Sequence, residues 1–135
     1  MAYWLLKTEP DDYSWNDLIG EKEAIWDGVK APAAIKNIKK IELGDLTFIY
    51  HTGKERAVIG VAQITSHPYY DEQHKEWRFK VTPTEKLLNP VTLKQIKESG
   101  KFPDWELVRL PRLSVVPVSL WQWESIINFA NMPVE

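Results

Sequence analysis

GDLTFIYHT, residues 44–52, is the clearest strand signal in the sequence. Apolar or aromatic residues recur at every second position, which is typical of a half-buried strand. A Gly-Asp pair at residues 44–45 supplies the turn that begins this strand, and Thr-Gly-Lys at 52–54 supplies the turn that ends it. The next apolar run, residues 57–65, follows so soon that we expect an antiparallel hairpin. One face of the first strand would hold Leu46, Phe48 and Tyr50, and the other would hold Thr47, Ile49 and His51.

The rest of the chain alternates short strand signals with short helix signals. Ser14, Thr92 and Ser119 are placed to cap helices, and Pro32 fits the first turn of another. Pro83 is expected to end or bulge the strand that contains it. This alternation indicates an α+β fold, a small mixed β-barrel in a single domain over residues 1–135, rather than a βαβ sheet. The sequence predicts strands over residues 3–7, 24–26, 76–87 and 113–118, helices over 15–20, 32–41, 93–99 and from 120, a short turn within 102–110, and a loop over 67–72.

Composition is that of a globular chain with many aromatic residues. The 135 residues are 44% apolar and 27% charged, which predicts one folded core. The net charge of −2 argues against strong nonspecific binding to phosphates, although a local basic patch is compatible with it. Absence of cysteine excludes disulfides, thiol nucleophiles and Cys-ligated zinc. No apolar run approaches ~18 residues, and the first residues lack a signal-peptide pattern, so we expect a soluble, cytoplasmic domain.

WDGVK, residues 26–30, is the candidate binding segment. It sets the large ring of Trp26 beside Gly28, which has no side chain to fill the neighbouring space. An aromatic wall next to bare backbone can receive a flat ligand. The alternative is that Trp26 belongs simply to the core, because tryptophan is highly buried on average.

Three lysines follow this segment at helical spacing. Lys36, Lys39 and Lys40 share one face of the predicted helix, opposite its apolar residues. Such a face is often only a solvated surface. Its closeness in sequence to Trp26 favours a second interpretation, in which the lysines contact a phosphate backbone while the ring stacks a base.

Catalytic and metal-binding motifs are absent from the sequence. The three histidines lack the spacing of a metal site, and no nucleophile-elbow, P-loop or dinucleotide-binding motif occurs. The paired carboxylates at 11–12 and 71–72 lie in predicted loops. His51 is either a donor in a pocket or a histidine whose hydrogen bonds are satisfied at a strand end. We therefore predict no cofactor, no metal and no enzymatic activity.

Several motifs in fixed order resemble one known family. They are YWLLKTEP at 3–10, YSW at 13–15, WDGV at 26–29, GD at 44–45, FIYHT at 48–52, Gly60, Tyr69 and LSVVPV at 113–118. Together they are similar to the EVE domain, a member of the PUA-like superfamily that is related to the YTH readers of methylated adenine. The resemblance implies a mixed β-pseudo-barrel of about five or six strands with flanking short helices. It also implies a noncatalytic module that recognises a modified base, such as methylated or hydroxymethylated cytosine in DNA or a modified base in RNA.

Site residues carry over from the matching motifs. The resemblance implies binding roles for Lys7, Thr8, Trp26, Gly28, Val29, Lys30, Tyr50, His51, Thr52, Leu113 and Ser114. Lys36, Lys39 and Lys40 are predicted as phosphate contacts from their own spacing and their closeness to Trp26. The ring of Trp26 would supply stacking, and the hydroxyls and His51 would bond the base edge.

This sequence departs from the family pattern after WDGV. The family usually continues with Arg-Asn, whereas this chain has Lys30 and Ala31. Lysine lacks the bidentate fork of arginine, and alanine cannot hydrogen-bond through its side chain. Thr8 and Thr52 stand where the family has serine, and both keep the hydroxyl.

Two other classes of function remain open from the sequence. One is a small nucleotide-handling enzyme in which His51 acts as a base. The other is a protein-interaction domain that uses exposed aromatic residues such as Trp105, Trp121 or Trp123.

Overall fold

A computed structural model describes residues 1–132. Within this range the chain forms seven strands and five short helices. In chain order they are β1 (Tyr3–Thr8), α1 (Trp15–Glu21), β2 (Ala24–Trp26), α2 (Pro32–Ile38), β3 (Leu46–His51), β4 (Ala57–Ile64), β5 (Tyr69–Asp71), β6 (Glu76–Thr92), α3 (Leu93–Glu98), α4 (Glu106–Arg109), β7 (Val115–Val118) and α5 (Leu120–Ala130). No helix of the described residues is long and apolar enough to cross a membrane.

The strands form one curled, mixed sheet, a half-barrel. Its order is β2-β6-β4-β3-β1-β7, and β5 pairs separately with β6. β1 runs parallel to β3 and antiparallel to β7, while β3 and β4 form the expected antiparallel hairpin. Register shifts interrupt the β3–β4 pairing once and the β4–β6 pairing twice. Such bulges bend a strand and increase its twist, which explains the curl of the sheet.

The interior strand β3 is buried on both faces, so the prediction of a half-buried strand was wrong. On one face, Phe48 stacks on Trp123 of α5 with ring centroids 3.8 Å apart. On the other face, Ile49 pairs with Gly60, and the ring of Trp15 from α1 packs directly on that glycine. Alternation of residue types could not reveal this burial, because helices cover both faces of the strand.

The predicted helix caps are confirmed. Ser14, Thr92 and Ser119 each accept a hydrogen bond from the backbone of the third helical residue, whose side chain bonds back to the cap. Pro32 is the first residue of α2, which ends at Ile38 rather than residue 41. Lys39 and Lys40 therefore lie in the turn after the helix.

The structure corrects two further predictions, the loop over residues 67–72 and the end of the strand that begins at Glu76. Residues 69–71 form a strand where a loop was predicted, because the ring of Tyr70 packs edge-on against Trp77 and Arg78 pairs with Asp71. This strand brings the number to seven, above the predicted five or six. Pro83 lies at a bulge, as expected, but β6 continues to Thr92 because residues 91–92 pair with the start of β4.

Candidate functional site

A cavity of about 900 Å³ lies where the ends of β1 and β2 meet the segment before β7. The backbone N–H of Lys7, on β1, donates to the carbonyl of Ser114 at 3.0 Å, which holds the end of β1 against the segment before β7. The cavity is lined by Lys7, Thr8, Asp12, Tyr13, Glu21, Glu23, Ile25, Trp26, Asp27, Gly28, Val29, Lys30, Ala31 and Ser114.

Trp26 forms an aromatic wall of the cavity. It is the last residue of β2, where it pairs with Phe79 of β6. Its side chain is only 7% exposed, and a hollow lies directly alongside it. The ring of Tyr13 meets it edge-on, with centroids 6.2 Å apart and planes at 88°. Trp26 is therefore held firmly by its neighbours and also borders open space.

The turn after Trp26 is fixed by a hydrogen bond from another strand. Gly28 has φ of +76°, a conformation that favours glycine. Its N–H donates to Oε2 of Glu76 at 3.0 Å, and the same oxygen accepts from Nε of Arg78. The Gly28 hydrogen bond is the main cause that lowers the pKa of Glu76 below its usual range. The ionised carboxylate of Glu76 therefore fixes the turn at Gly28.

The wall on the β1 side includes the partly buried ammonium of Lys7 and the hydroxyl of Thr8, and both groups are hydrogen-bonded within the fold. Nζ of Lys7 donates to the carbonyl of Pro111 at 2.9 Å and lies 5.7 Å from the ring centre of Tyr50. Burial lowers the pKa of Lys7. The hydroxyl of Thr8 donates to the carbonyl of Tyr13 at 2.7 Å. Both side chains line the cavity, and both also form hydrogen bonds to backbone carbonyls of the protein.

Tyr13 has a hydroxyl group that forms no hydrogen bond with the described residues. Its hydroxyl is buried and has no hydrogen-bond partner among residues 1–132. Burial is the main cause that raises the pKa of Tyr13, and the neighbouring carboxylate of Glu21 adds to the shift. A buried hydroxyl at a cavity wall is available to a ligand.

The structure brings together only some of the predicted site residues. Lys7, Thr8, Trp26, Gly28, Val29, Lys30 and Ser114 line the cavity, whereas Tyr50, His51, Thr52 and Leu113 lie outside its lining. Tyr50 and Leu113 are buried. The hydroxyl of Thr52 donates to Glu9 at 3.2 Å.

His51 has both ring nitrogens engaged within the fold. Nε2 accepts the backbone N–H of Trp15 at 3.0 Å, and Nδ1 lies 2.7 Å from Oε1 of Glu55. Because an N–H points at Nε2, that nitrogen presents its lone pair and the proton is assigned to Nδ1. In this arrangement neither nitrogen faces the cavity as a donor or a base.

The three predicted phosphate contacts are exposed but do not line the cavity. α2, which carries Lys36, begins directly after the lining residue Ala31. The ammonium of Lys39 lies 5.3 Å from the ring centre of Trp77. Three tryptophans were predicted to be exposed residues of a protein-interaction surface. Trp105 and Trp123 are buried, whereas Trp121 is 55% exposed.

Sequence reasoning missed half of the lining. Tyr13 was quoted only as part of a family motif, although an aromatic residue beside a helix cap was a usable signal. Glu21 and Glu23 reach the cavity because the chain turns sharply after α1, where Lys22 has φ of +70°. No local pattern predicts that turn. The remaining missed residues are Asp12, Ile25, Asp27 and Ala31.

Comparison with solved structures identifies the class of fold. The chain is similar to human THYN1 solved in complex with 5-methylcytosine-containing DNA, with a TM-score of 0.93 and 19% identity over 99% of this chain and 100% of that one. It is also similar to Rpa0253 from Rhodopseudomonas palustris, with a TM-score of 0.91 and 28% identity over 100% of this chain and 97% of that one. The curled mixed sheet with short flanking helices is therefore a PUA-like domain.

Sequence comparison then gives the family. The model of the EVE domain matches residues 2–129, so the chain belongs to the EVE domain family. Among curated proteins it is similar to thymocyte nuclear protein 1 of Danio rerio, with 24% identity over 165 aligned positions that cover 95% of this chain and 71% of the relative.

Proposed function

We propose that this chain is a noncatalytic module that binds nucleic acid and accepts a modified base in the cavity beside Trp26. The observation that carries the proposal is the position of that indole, held by Tyr13 and β6 yet bordering a cavity of about 900 Å³. A flipped base requires a stacking surface and polar groups for its edge. The cavity offers both.

Kinship supports a nucleic-acid ligand. The chain is an EVE domain, and human THYN1, which has the same fold, was solved with DNA containing 5-methylcytosine. Methylated or hydroxymethylated cytosine in DNA and a modified base in RNA are the candidate ligands. The polar side chains of Thr8, Tyr13 and Ser114 would recognise the base edge, in place of the predicted His51 and Thr52.

Phosphate groups would lie outside the cavity. Lys36 and Lys40 are exposed on and just after α2, which begins at the cavity rim. Lysines in such a position would hold a strand whose base has left the stack. The overall charge of −2 agrees with recognition through a pocket rather than through broad electrostatic attraction.

The noncatalytic part of the proposal rests on the surroundings of His51. A general base needs a free nitrogen within reach of the substrate. Both nitrogens of His51 are engaged by Trp15 and Glu55, and the residue lies outside the cavity lining.

Isothermal titration with modified nucleosides and short strands tests the proposal. The panel holds methylated and hydroxymethylated cytosine, methylated adenine and their unmodified parents, in DNA and RNA. Trp26→Ala is expected to weaken binding by about 5- to 150-fold, since stacking contributes roughly 1–3 kcal/mol per base. Trp26→Phe keeps a smaller ring and should lose less.

Trp121→Ala is the matched control, because Trp121 is a tryptophan outside the cavity. It should bind as the parent does. Absence of binding by the whole panel, or equal binding by Trp26→Ala and the parent, would refute the proposal.

A further inference from the structure

The cavity lining is unexpectedly acidic for a site that meets nucleic acid. Asp12, Glu21, Glu23 and Asp27 all line it, against two lysines, so the lining carries four negative and two positive charges, a net of −2. None of the four carboxylates forms an ion pair within residues 1–132. The charge of Asp27 reaches Arg78 only at longer range. Within the described residues the fold therefore pairs none of these carboxylates with a cation, and Glu23 accepts a hydrogen bond from the hydroxyl of Thr65 at 2.9 Å.

The two lysines that line the cavity do not neutralise its four carboxylates at the place where a ligand would bind. Lys7 directs its ammonium to the carbonyl of Pro111 and to the ring of Tyr50. Lys30 is exposed after the Gly28 turn, and lysine lacks the planar fork with which arginine engages a carbonyl edge.

The hydroxyl of Thr8 also favours a hydrogen-bond donor on the ligand. Thr8 gives its one proton to the carbonyl of Tyr13, so only its lone pairs remain for a ligand. The hydroxyl of Tyr13 is buried without a partner among the described residues, so it can accept a hydrogen bond from a ligand and can also donate its own proton. Together with the carboxylates, these oxygens make the cavity rich in acceptors.

We infer that the cavity selects a base whose inserted edge or substituent carries N–H donors or a positive charge. This inference rests on the proposed function and names the chemical class of its ligand. An amino or aminomethyl group would find the carboxylates of Glu21 and Asp27 and the face of Trp26, which attracts cations. A carbonyl or carboxylate at the same place would meet acceptors and negative charge, which disfavours it. The same charges exclude phosphate from the cavity, so the base must enter alone.

Three cytidines of similar size test the inference. They carry 5-aminomethyl, 5-hydroxymethyl or 5-carboxy groups, which are cationic, neutral and anionic, and their dissociation constants are measured by isothermal titration at low and high salt. The aminomethyl compound should bind most tightly and the carboxy compound most weakly. High salt should narrow the difference, since it screens exposed charges.

Asp12→Asn, Glu21→Gln, Glu23→Gln and Asp27→Asn should each reduce the preference for the aminomethyl compound by roughly 1.5- to 5-fold, the range of exposed ion pairs. Asp11→Asn is the matched control, because Asp11 is exposed and adjacent to Asp12 but does not line the cavity. It should leave the preference unchanged. Circular dichroism of each variant verifies folding.

The outcomes separate this inference from the proposed function. Equal binding of the three cytidines, or tighter binding of the carboxy compound, would overturn the inference that the acidic lining selects a cationic or donor-bearing base. The proposal that the cavity binds a base would still stand. A preference that Asp11→Asn reduces as much as Asp12→Asn would also overturn it. Failure of every nucleoside and strand to bind would overturn both.

Discussion

The backbone N–H of Trp15 donates to Nε2 of His51 at 3.0 Å, and this hydrogen bond ties the start of α1 to the end of β3. Both residues are buried. The bond gives His51 a structural role, because the Trp15 N–H belongs to the first turn of a helix and has no partner within that helix.

Replacement of His51 by alanine should therefore destabilise the fold. The buried N–H of Trp15 would lose its acceptor, which costs about 1–3 kcal/mol. Urea denaturation measures the change in unfolding free energy. His67→Ala, at an exposed histidine whose Nδ1 accepts a long hydrogen bond of 3.5 Å from the N–H of Leu43, should change it by less than about 0.5 kcal/mol. A His51→Ala protein of unchanged stability that no longer binds the base would instead assign His51 to the binding site.

Substitution at Gly60 should disrupt the contact between α1 and the sheet. A Cβ built on Gly60 would lie 2.5 Å from ring atoms of Trp15, whose indole is buried, so the ring or the strand must shift. Gly60→Ala should lower the unfolding free energy by about 1–3 kcal/mol, the usual cost of overpacking.

Gly20→Ala is the control for that substitution. Gly20 lies in α1 with nothing within 4 Å of its Cβ position, so alanine should stabilise by about 0.4–1 kcal/mol. In thermal unfolding, Gly60→Ala should lower the stability and Gly20→Ala should raise it. A neutral Gly60→Ala would mean that Trp15 does not pack on β4 as described.

Asp45 is expected to be among the most important polar residues for stability. Its buried carboxylate accepts the N–H groups of Ala2, the Trp4 indole and Glu42 at 2.9–3.0 Å. Asp45→Ala removes all three hydrogen bonds. The free energy of unfolding should fall by about 1.5–3 kcal/mol or more, because the acceptor is charged. Asp104→Ala, at an exposed carboxylate, is the comparison in chemical denaturation. Equal effects of the two substitutions would contradict the role of Asp45.

Stability should fall at alkaline pH through Tyr50. Burial raises the pKa of Tyr50 from 10.0 to about 12, although the charge of Arg56 opposes the shift. The folded state thus retains a proton that the unfolded state loses, so the unfolding free energy decreases as pH rises from about 10 to about 12. Tyr50→Phe should reduce this slope in urea denaturation at stepped pH. Tyr70→Phe, at an exposed ring, should keep it, and an unchanged slope in Tyr50→Phe would disprove the assignment.

Glu76 should influence ligand binding without lining the cavity. Its carboxylate holds the Gly28 N–H, so Glu76→Ala frees the turn that follows Trp26. We expect Glu76→Ala to weaken base binding several-fold in isothermal titration while the protein remains folded. Glu72→Ala, on the exposed end of the same hairpin, is the control. Unchanged affinity in Glu76→Ala would show that the turn is rigid without this carboxylate.

Local patterns in the sequence predicted the elements whose causes are local. Ser14, Thr92 and Ser119 cap their helices because a short hydroxyl side chain reaches the nearby backbone wherever the rest of the fold lies. Trp26 was likewise chosen as a wall from its own neighbour, Gly28, and it does border a cavity.

Other features depend on distant partners and could not be predicted. β5 exists because Tyr70 and Asp71 meet Trp77 and Arg78 across the hairpin. His51 resembles a site residue in sequence, and only the approach of Trp15 from another element engages it. Glu21 and Glu23 become lining residues through the turn at Lys22, which periodicity does not encode.

The position of β1 has a consequence for how the protein is made. Although it is the first strand in sequence, it lies inside the sheet between β3 and β7, the last strand. During synthesis on the ribosome, β1 emerges long before residues 115–118 are available to cover its second edge. Its unpaired edge could meanwhile attract another nascent chain. The sheet is therefore completed only after residues 115–118 have been synthesised, so the first strand waits for the last one before both of its edges are paired.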